Sequence, residues 1–237
     1  MAILLAMAES VKRRYRSPRR EESARHTRVL IREAAARLFA SQGYAVTTMR
    51  QIAAEAGVSE RTTYAVFPTK LDLFSEVIGV AVAGDDRPVP IAERPEFRAA
   101  INEVDGAKAL EIAVSFLSAV LERAGALIMA GYESKGADGG LRTAAQHGEQ
   151  ARTQDLRLIA GALHQHGVLH HDLDVDQATD ILLALTSPHV HQIWRQDRKR
   201  SAEDYRRTLL KTLRRTLLKA PHEPTSTQPK PRQRRRT

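Results

Sequence analysis

Residues 48–72 read TMRQIAAEAGVSERTTYAVFPTKLD. Thr48 and Gln51 stand three apart, the capping-box spacing in which each side chain satisfies a free backbone N–H of the first helical turn. Ile52, Ala53 and Ala56 then form one inward face, and Gly57 stops the helix after about two turns. Ser59 is a cap for a second helix, Glu60 suits its positive start, and Pro68 forces its end. Thr69 opens a third helix, with Asp72 three residues on as a second capping box. Between Gly57 and Lys70 only Val58, Val66 and Phe67 clearly seek burial, so the middle helix has little core to bury and a polar face to present. Two short helices joined by a Gly-containing turn match the helix-turn-helix spacing, whose second helix enters the DNA major groove. An ordinary helical hairpin shares that spacing.

Working outward, residues 22–42 carry Leu30, Ile31, Ala34, Ala35, Leu38 and Phe39 at helical spacing, and Gly43 follows as a stop. After Thr69 comes a stripe of Leu71, Phe74, Val77 and Ile78. Residues 81–95 include AGDDRPVPIAERP, a Gly-, Asp- and Pro-rich break that reads as a loop and domain boundary. Further helices are predicted over 96–104, 107–133, 140–166, 175–197 and 201–219. No alternating run or repeat is present, so the predicted fold is all-α. The expected organisation is a disordered basic arm (1–21), a three-helix DNA-binding domain (22–80), a larger helical domain for ligand binding and dimerisation (81–220), and a disordered basic tail (221–237).

The chain has 237 residues, a net charge of +9 and no cysteine. Disulfides, thiolate metal sites and a cysteine nucleophile are therefore excluded. Charge location matters more than total. Lys12, Arg13, Arg14, Arg16, Arg19 and Arg20 against Glu9 give the first twenty residues +5. Lys230, Arg232, Arg234, Arg235 and Arg236 against Glu223 give residues 221–237 +4, leaving a neutral body. A neutral body with basic ends suggests a polyanionic partner. The Pro-rich tail equally fits a solvated segment. The opening MAILLAM is too short for a signal peptide and has its basic residues on the wrong side, and Met7 as the natural start accounts for it. No other segment is read as reaching transmembrane length, so a cytoplasmic protein with no membrane partner is expected.

Over Leu38-Phe39, Gly43-Tyr44, Thr47 to Ser59 and Thr62 to Leu73, the sequence resembles the TetR family of bacterial transcriptional regulators. DLDVDQATDILLALTSPHVHQIW, residues 172–194, is similar to the C-terminal region of many actinobacterial-type members. The resemblance implies a homodimer that binds a double-stranded DNA operator, most readily as a repressor, and is released by a small-molecule effector. The competing class is a helical scaffold with basic tails and no specific operator. By the same resemblance, Arg61, Thr62 and Ala65 face base edges, Thr48, Tyr64 and Lys70 touch phosphates, and Arg50 reaches base or backbone. Ser59 and Glu60, at the start of the same helix, complete the set. Residue chemistry agrees, since Ser, Thr, Tyr and Lys suit phosphates and Arg reads guanine. Arg61 stands where many members carry Gly, and Thr63 where a Leu-like residue is usual. In the arm, Arg13, Arg14 and Arg16 are expected to track phosphates or enter the minor groove without base specificity.

Within residues 107–197, Phe116, Val120, Ile128, Tyr132, Ile159 and Leu163 are the expected effector-lining residues, although apolar residues at helical spacing also build plain core. Ile181, Leu185, Trp194, Tyr205, Leu209 and Leu213 are the expected dimer interface, in a four-helix arrangement with Trp194 as anchor. LHQHGVLHHD, residues 163–172, invites a metal reading through His166 and His170. Gly167 breaks that helix, and no metal or cofactor is expected. No phosphate loop, nucleophile motif or carboxylate–histidine constellation supports an enzyme.

Overall fold

The computed structural model describes residues 18–136 and 139–219. These residues form ten α-helices: α1 (Pro18–Gln42), α2 (Met49–Glu55), α3 (Glu60–Val66), α4 (Lys70–Ala83), α5 (Pro95–Asn102), α6 (Gly106–Ser134), α7 (Gly139–Gln165), α8 (Val175–Leu185), α9 (Pro188–Gln192) and α10 (Ala202–Leu217). No strand is present among the described residues. A single antiparallel bridge, Leu169 to Leu218, ties the end of α10 to the turn after α7.

Local chemistry accounts for most boundaries. Thr48 with Gln51 and Thr69 with Asp72 form reciprocal capping boxes at the starts of α2 and α4. Asp174 with Gln177 forms a third at α8. Each N-cap side chain stabilises its helix by about 1 kcal/mol. Gly57 takes φ +67° in the turn between α2 and α3, and Gly84 takes φ +85° as the left-handed cap of α4, conformations that side chains with a Cβ resist.

Several boundaries differ from expectation. α1 begins at Pro18 instead of residue 22, because proline is well tolerated in a first turn, where its missing N–H has no intrahelical partner. α4 continues three residues past 80, to Ala83. Residues 175–197 do not make one helix. α8 ends at Leu185, and Ser187 caps a new start at Val190 N with Pro188 in its first turn. Proline lacks the N–H that a continuous helix would use there. A π-helical turn, Ile193–Asp197, follows α9.

Two apolar clusters form. One joins Ile31, Phe39, Tyr44, Ile52, Phe67 and Phe74 of the first four helices and their connections to Leu127 of α6 and Leu141 of α7. The other is built on α5 to α8 and α10. α6 runs through the middle, against α1, α4, α5, α7, α9 and α10. By length and composition α6 is apolar enough to cross a membrane, which corrects the expectation that no segment reaches that length. Its apolarity is that of a core helix surrounded by others. Tyr205, Leu209 and Leu213, expected at a dimer interface, are buried inside the chain's own core. They form the inward stripe of α10, which packs on α6 and α8. Ile181, Leu185 and Trp194 are only partly buried against the same core.

The 84–94 loop is pinned by Arg94, whose guanidinium donates to both oxygens of Asp85 at 2.9 and 3.1 Å. Arg94 and Arg87 hold that carboxyl well below the usual carboxylate range. Glu122 of α6 accepts from Arg195 at 2.6 and 3.1 Å and pairs with His191 at 2.9 Å. Burial pushes its carboxyl up, but the two partners outweigh burial and the net shift is downward.

Candidate nucleic-acid interface and adjoining cavity

α3 spans seven residues and buries one of them, Thr63. Thr63 is fully enclosed, and its hydroxyl donates to Ser59 O at 3.2 Å, so a hydroxyl fits where an aliphatic chain is usual. The main anchor lies just beyond the helix, where Phe67 is 1% exposed. Val58 and Val66 are only half-buried. Ser59 accepts from Thr62 N at 3.0 Å, and its hydroxyl lies 2.6 Å from that of Thr62.

One basic residue, Arg28 of α1, sets how α3 sits. The Arg28 guanidinium lies 4.4 Å above the Phe67 ring, pairs with Glu76 of α4, and reaches Val66 O at the end of α3. A cation at a helix C-terminus is favourable there. Nothing in local spacing marks Arg28, because its partners lie 38 and 48 residues away. Arg37 of α1 also pairs with Glu55 of α2 at 3.1 Å.

With its back held, α3 exposes Glu60, Arg61, Tyr64 and Ala65, and Thr62 is half-exposed. Tyr64 is 47% exposed, unusual for a large ring. Thr48 and Arg50 are exposed at the start of α2. Lys70 departs from expectation. Its ammonium donates to Tyr44 O at 2.9 Å, Thr47 O at 3.1 Å and Ala45 O at 3.4 Å, and lies 4.2 Å above the Tyr44 ring. An ammonium has three N–H donors, and three carbonyls of one loop lie within its reach. Lys70 therefore secures the loop leading into α2. Arg13, Arg14 and Arg16 lie outside the described residues.

Behind this surface is a cavity of about 390 Å³ between α4, α6 and α7. Phe116, Val120, Ile128 and Tyr132 line it as expected. Ile159 and Leu163 do not; they are buried in the larger core at 3% and 1% exposure. Helical periodicity marks an inward face without saying whether that face meets a void or a packed neighbour. The sequence reading missed the α4 contribution to the wall, Phe74, Ser75, Ile78, Gly79 and Val82. It also missed the polar face of α7, where Glu149, Arg152 and Asp155 recur at a spacing of three. Tyr132 donates to Glu149 Oε2 at 2.9 Å. Burial, with that carboxylate, pushes the phenol up to about 12. Asp155 is half-buried, and burial raises its pKa.

His166 meets Ile101 O at 3.3 Å. His170, His171 and Asp172 place ligand-type atoms within 4.8 Å of one another on the turn after α7.

Comparison with known proteins agrees with this geometry. Residues 31–77 match the family model for bacterial regulatory proteins, tetR family. No curated protein sequence matches the chain. Among solved structures, a protein from Saccharomonospora viridis, described as a transcriptional regulator and in complex with choline, superposes with TM-score 0.64 at 20% identity, covering 84% of this chain and 100% of that one. NalD of Pseudomonas aeruginosa, the secondary repressor of the MexAB-OprM multidrug efflux pump, gives 0.63 at 23% identity, covering 83% and 98%. The regulator FadR of Bacillus subtilis, in complex with stearoyl-CoA, gives 0.62 at 20% identity, covering 78% and 96%. These likenesses concern the fold. Residues 31–77, which run from α1 into α4, are thus similar to the TetR family of bacterial regulatory proteins.

Proposed function

We propose that this protein is a ligand-responsive transcriptional repressor that acts in the cytoplasm, binds a palindromic operator as a homodimer, and is released by a small molecule. Residues 22–80 are the DNA-binding domain and residues 81–220 the effector and dimer domain. The observation that carries the reading is α3 itself, a short helix anchored from behind by Thr63, Phe67 and Arg28 that shows solvent a polar face with an arginine and a tyrosine. Arg61, Thr62 and Ala65 read base edges, with Arg61 the prime candidate for guanine. Thr48, Tyr64 and the α2 start contact phosphate, Arg50 reaches base or backbone, and Ser59 and Glu60 flank the reading residues. Arg13, Arg14 and Arg16 add sequence-independent phosphate contacts.

The cavity supports the effector half of the reading. α4 lines it with Phe74, Ile78 and Val82, and the same helix begins at Lys70, which grips the loop before α2. A ligand that displaces α4 therefore moves the DNA-facing helices as well. The choline and stearoyl-CoA complexes of the two structural neighbours support a small-molecule ligand, and NalD supports repression. Ile181, Leu185 and Trp194 are half-buried and serve a dimer. The dimer spaces two α3 helices by about one DNA turn, 34–36 Å. Operator and effector binding then oppose each other reciprocally.

Selection from random duplex DNA tests this. Enrichment of an inverted repeat is expected. Arg61→Ala should relax one base position in each half-site at a cost of about 1–3 kcal/mol. Recovery of no repeat from the full chain would favour the scaffold reading instead.

A further inference from the structure

We propose that the cavity takes an amphiphilic cation, with an amine or ammonium head against Asp155 and an apolar body among Phe74, Phe116, Val120 and Ile128. The inference rests on reading this cavity as the effector site. Three charged side chains line it: Glu149, Arg152 and Asp155. Arg152 is engaged through three of its five donors. It donates through Nη1 to Glu149 Oε1 at 2.7 Å, and through Nη2 to Leu183 O at 2.7 Å and Thr186 Oγ1 at 3.3 Å. Glu149 in turn accepts from Tyr132. Glu149 and Arg152 thus neutralise each other. Asp155 has no hydrogen-bond or ion-pair partner among the described residues, and the lining carries one net negative charge.

An unpaired carboxylate in a mostly apolar wall is costly, and a ligand that brings the missing partner relieves the cost. Burial already disfavours the ionised form of Asp155, so closing the cavity with a neutral ligand would worsen its position, whereas a cation would improve it. An anion fares worst, because the Arg152 charge is already paired with Glu149 and Asp155 repels it. Aromatic side chains in the wall, Phe74, Phe97, Phe116 and Tyr132, accept a cation on their faces as well. The volume of about 390 Å³ lies in the range of small-molecule sites.

Three probes sharing one skeleton separate the possibilities: 4-phenylbutylamine, 4-phenylbutan-1-ol and 4-phenylbutanoate. Calorimetric titration into the full chain should rank the amine about tenfold or more above the alcohol, as one charge-assisted contact gives, and the carboxylate last. Asp155→Asn should erase the gap between amine and alcohol, while Asp155→Glu should keep it. Equal binding of amine and alcohol to the unaltered chain would overturn the proposal, as would an intact preference in Asp155→Asn. Val120→Trp, which fills the cavity, isolates the underlying reading. If all three probes bind that variant unchanged, or none binds the unaltered chain, the cavity is not the site. If Val120→Trp blocks them and charge makes no difference, the cavity stands and the cation proposal falls.

Discussion

Replacing Lys70 by Met tests the role the structure assigns to this side chain. The variant keeps the aliphatic stem against the Tyr44 ring and removes only the ammonium. Two good charge-assisted hydrogen bonds disappear, to Tyr44 O at 2.9 Å and Thr47 O at 3.1 Å, together with the cation–π interaction at 4.2 Å. The loop is partly wet, so the freed carbonyls regain water. Each bond then counts at the low end, about 1 kcal/mol, and the ring interaction adds about 0.5 kcal/mol. The sum is about 2.5 kcal/mol, and for a chain of this size each kcal/mol lowers Tm by about 2–4 °C. A fall of about 5–10 °C in a calorimetric or dichroism melt is expected. If Lys70 were instead a phosphate ligand, its removal would leave Tm in place and flatten the slope of log affinity against log salt by about one. The structural role leaves that slope unchanged while operator affinity falls, because the loop before α2 loosens. A melt unmoved by more than a degree, with the slope reduced, would refute the reasoning.

Thr63→Val removes a buried hydroxyl whose acceptor, Ser59 O, still receives Thr63 N at 3.0 Å, so urea unfolding should show unchanged or slightly raised stability, by up to about 0.5 kcal/mol. Arg28→Ala should cost about 1 kcal/mol and weaken operator binding further than Glu76→Ala, since only Arg28 also covers Phe67 and Val66 O; a double-mutant cycle reads their coupling. Asp155→Asn should raise Tm at pH 7 but not below pH about 3. Because its folded pKa is raised, the native state binds the proton more tightly than the unfolded chain, and stability falls as pH rises from the unfolded pKa to the folded one. Melts across that pH range carry the test. Removing residues 1–17, which ends the arm where α1 begins, should flatten the salt slope of operator binding by about one for each phosphate the arm neutralises, and an unchanged slope would show the arm to be inert.

Local rules determined much of this protein from its sequence alone. The capping boxes at Thr48 and Thr69, the turn at Gly57 and the stop before Pro68 are set by residues within four positions of each other. Helix ends in that region therefore follow from backbone hydrogen-bond chemistry without tertiary context. The polar face of α3 was legible for the same reason, since a seven-residue helix with one buried side chain has little else to do with its surface. Long-range packing settled which partner each marked residue meets. Lys70 has the chemistry of a phosphate ligand, and three carbonyls 23–26 residues earlier claim it. Tyr205, Leu209 and Leu213 form an apolar stripe that periodicity cannot assign to a partner subunit or to the chain's own α6 and α8. Ile159 and Leu163 face packed neighbours, while Phe116 and Val120, on an equally apolar helix, face a void. Helical spacing specifies the direction in which a side chain points, and the packing of distant segments determines what lies there.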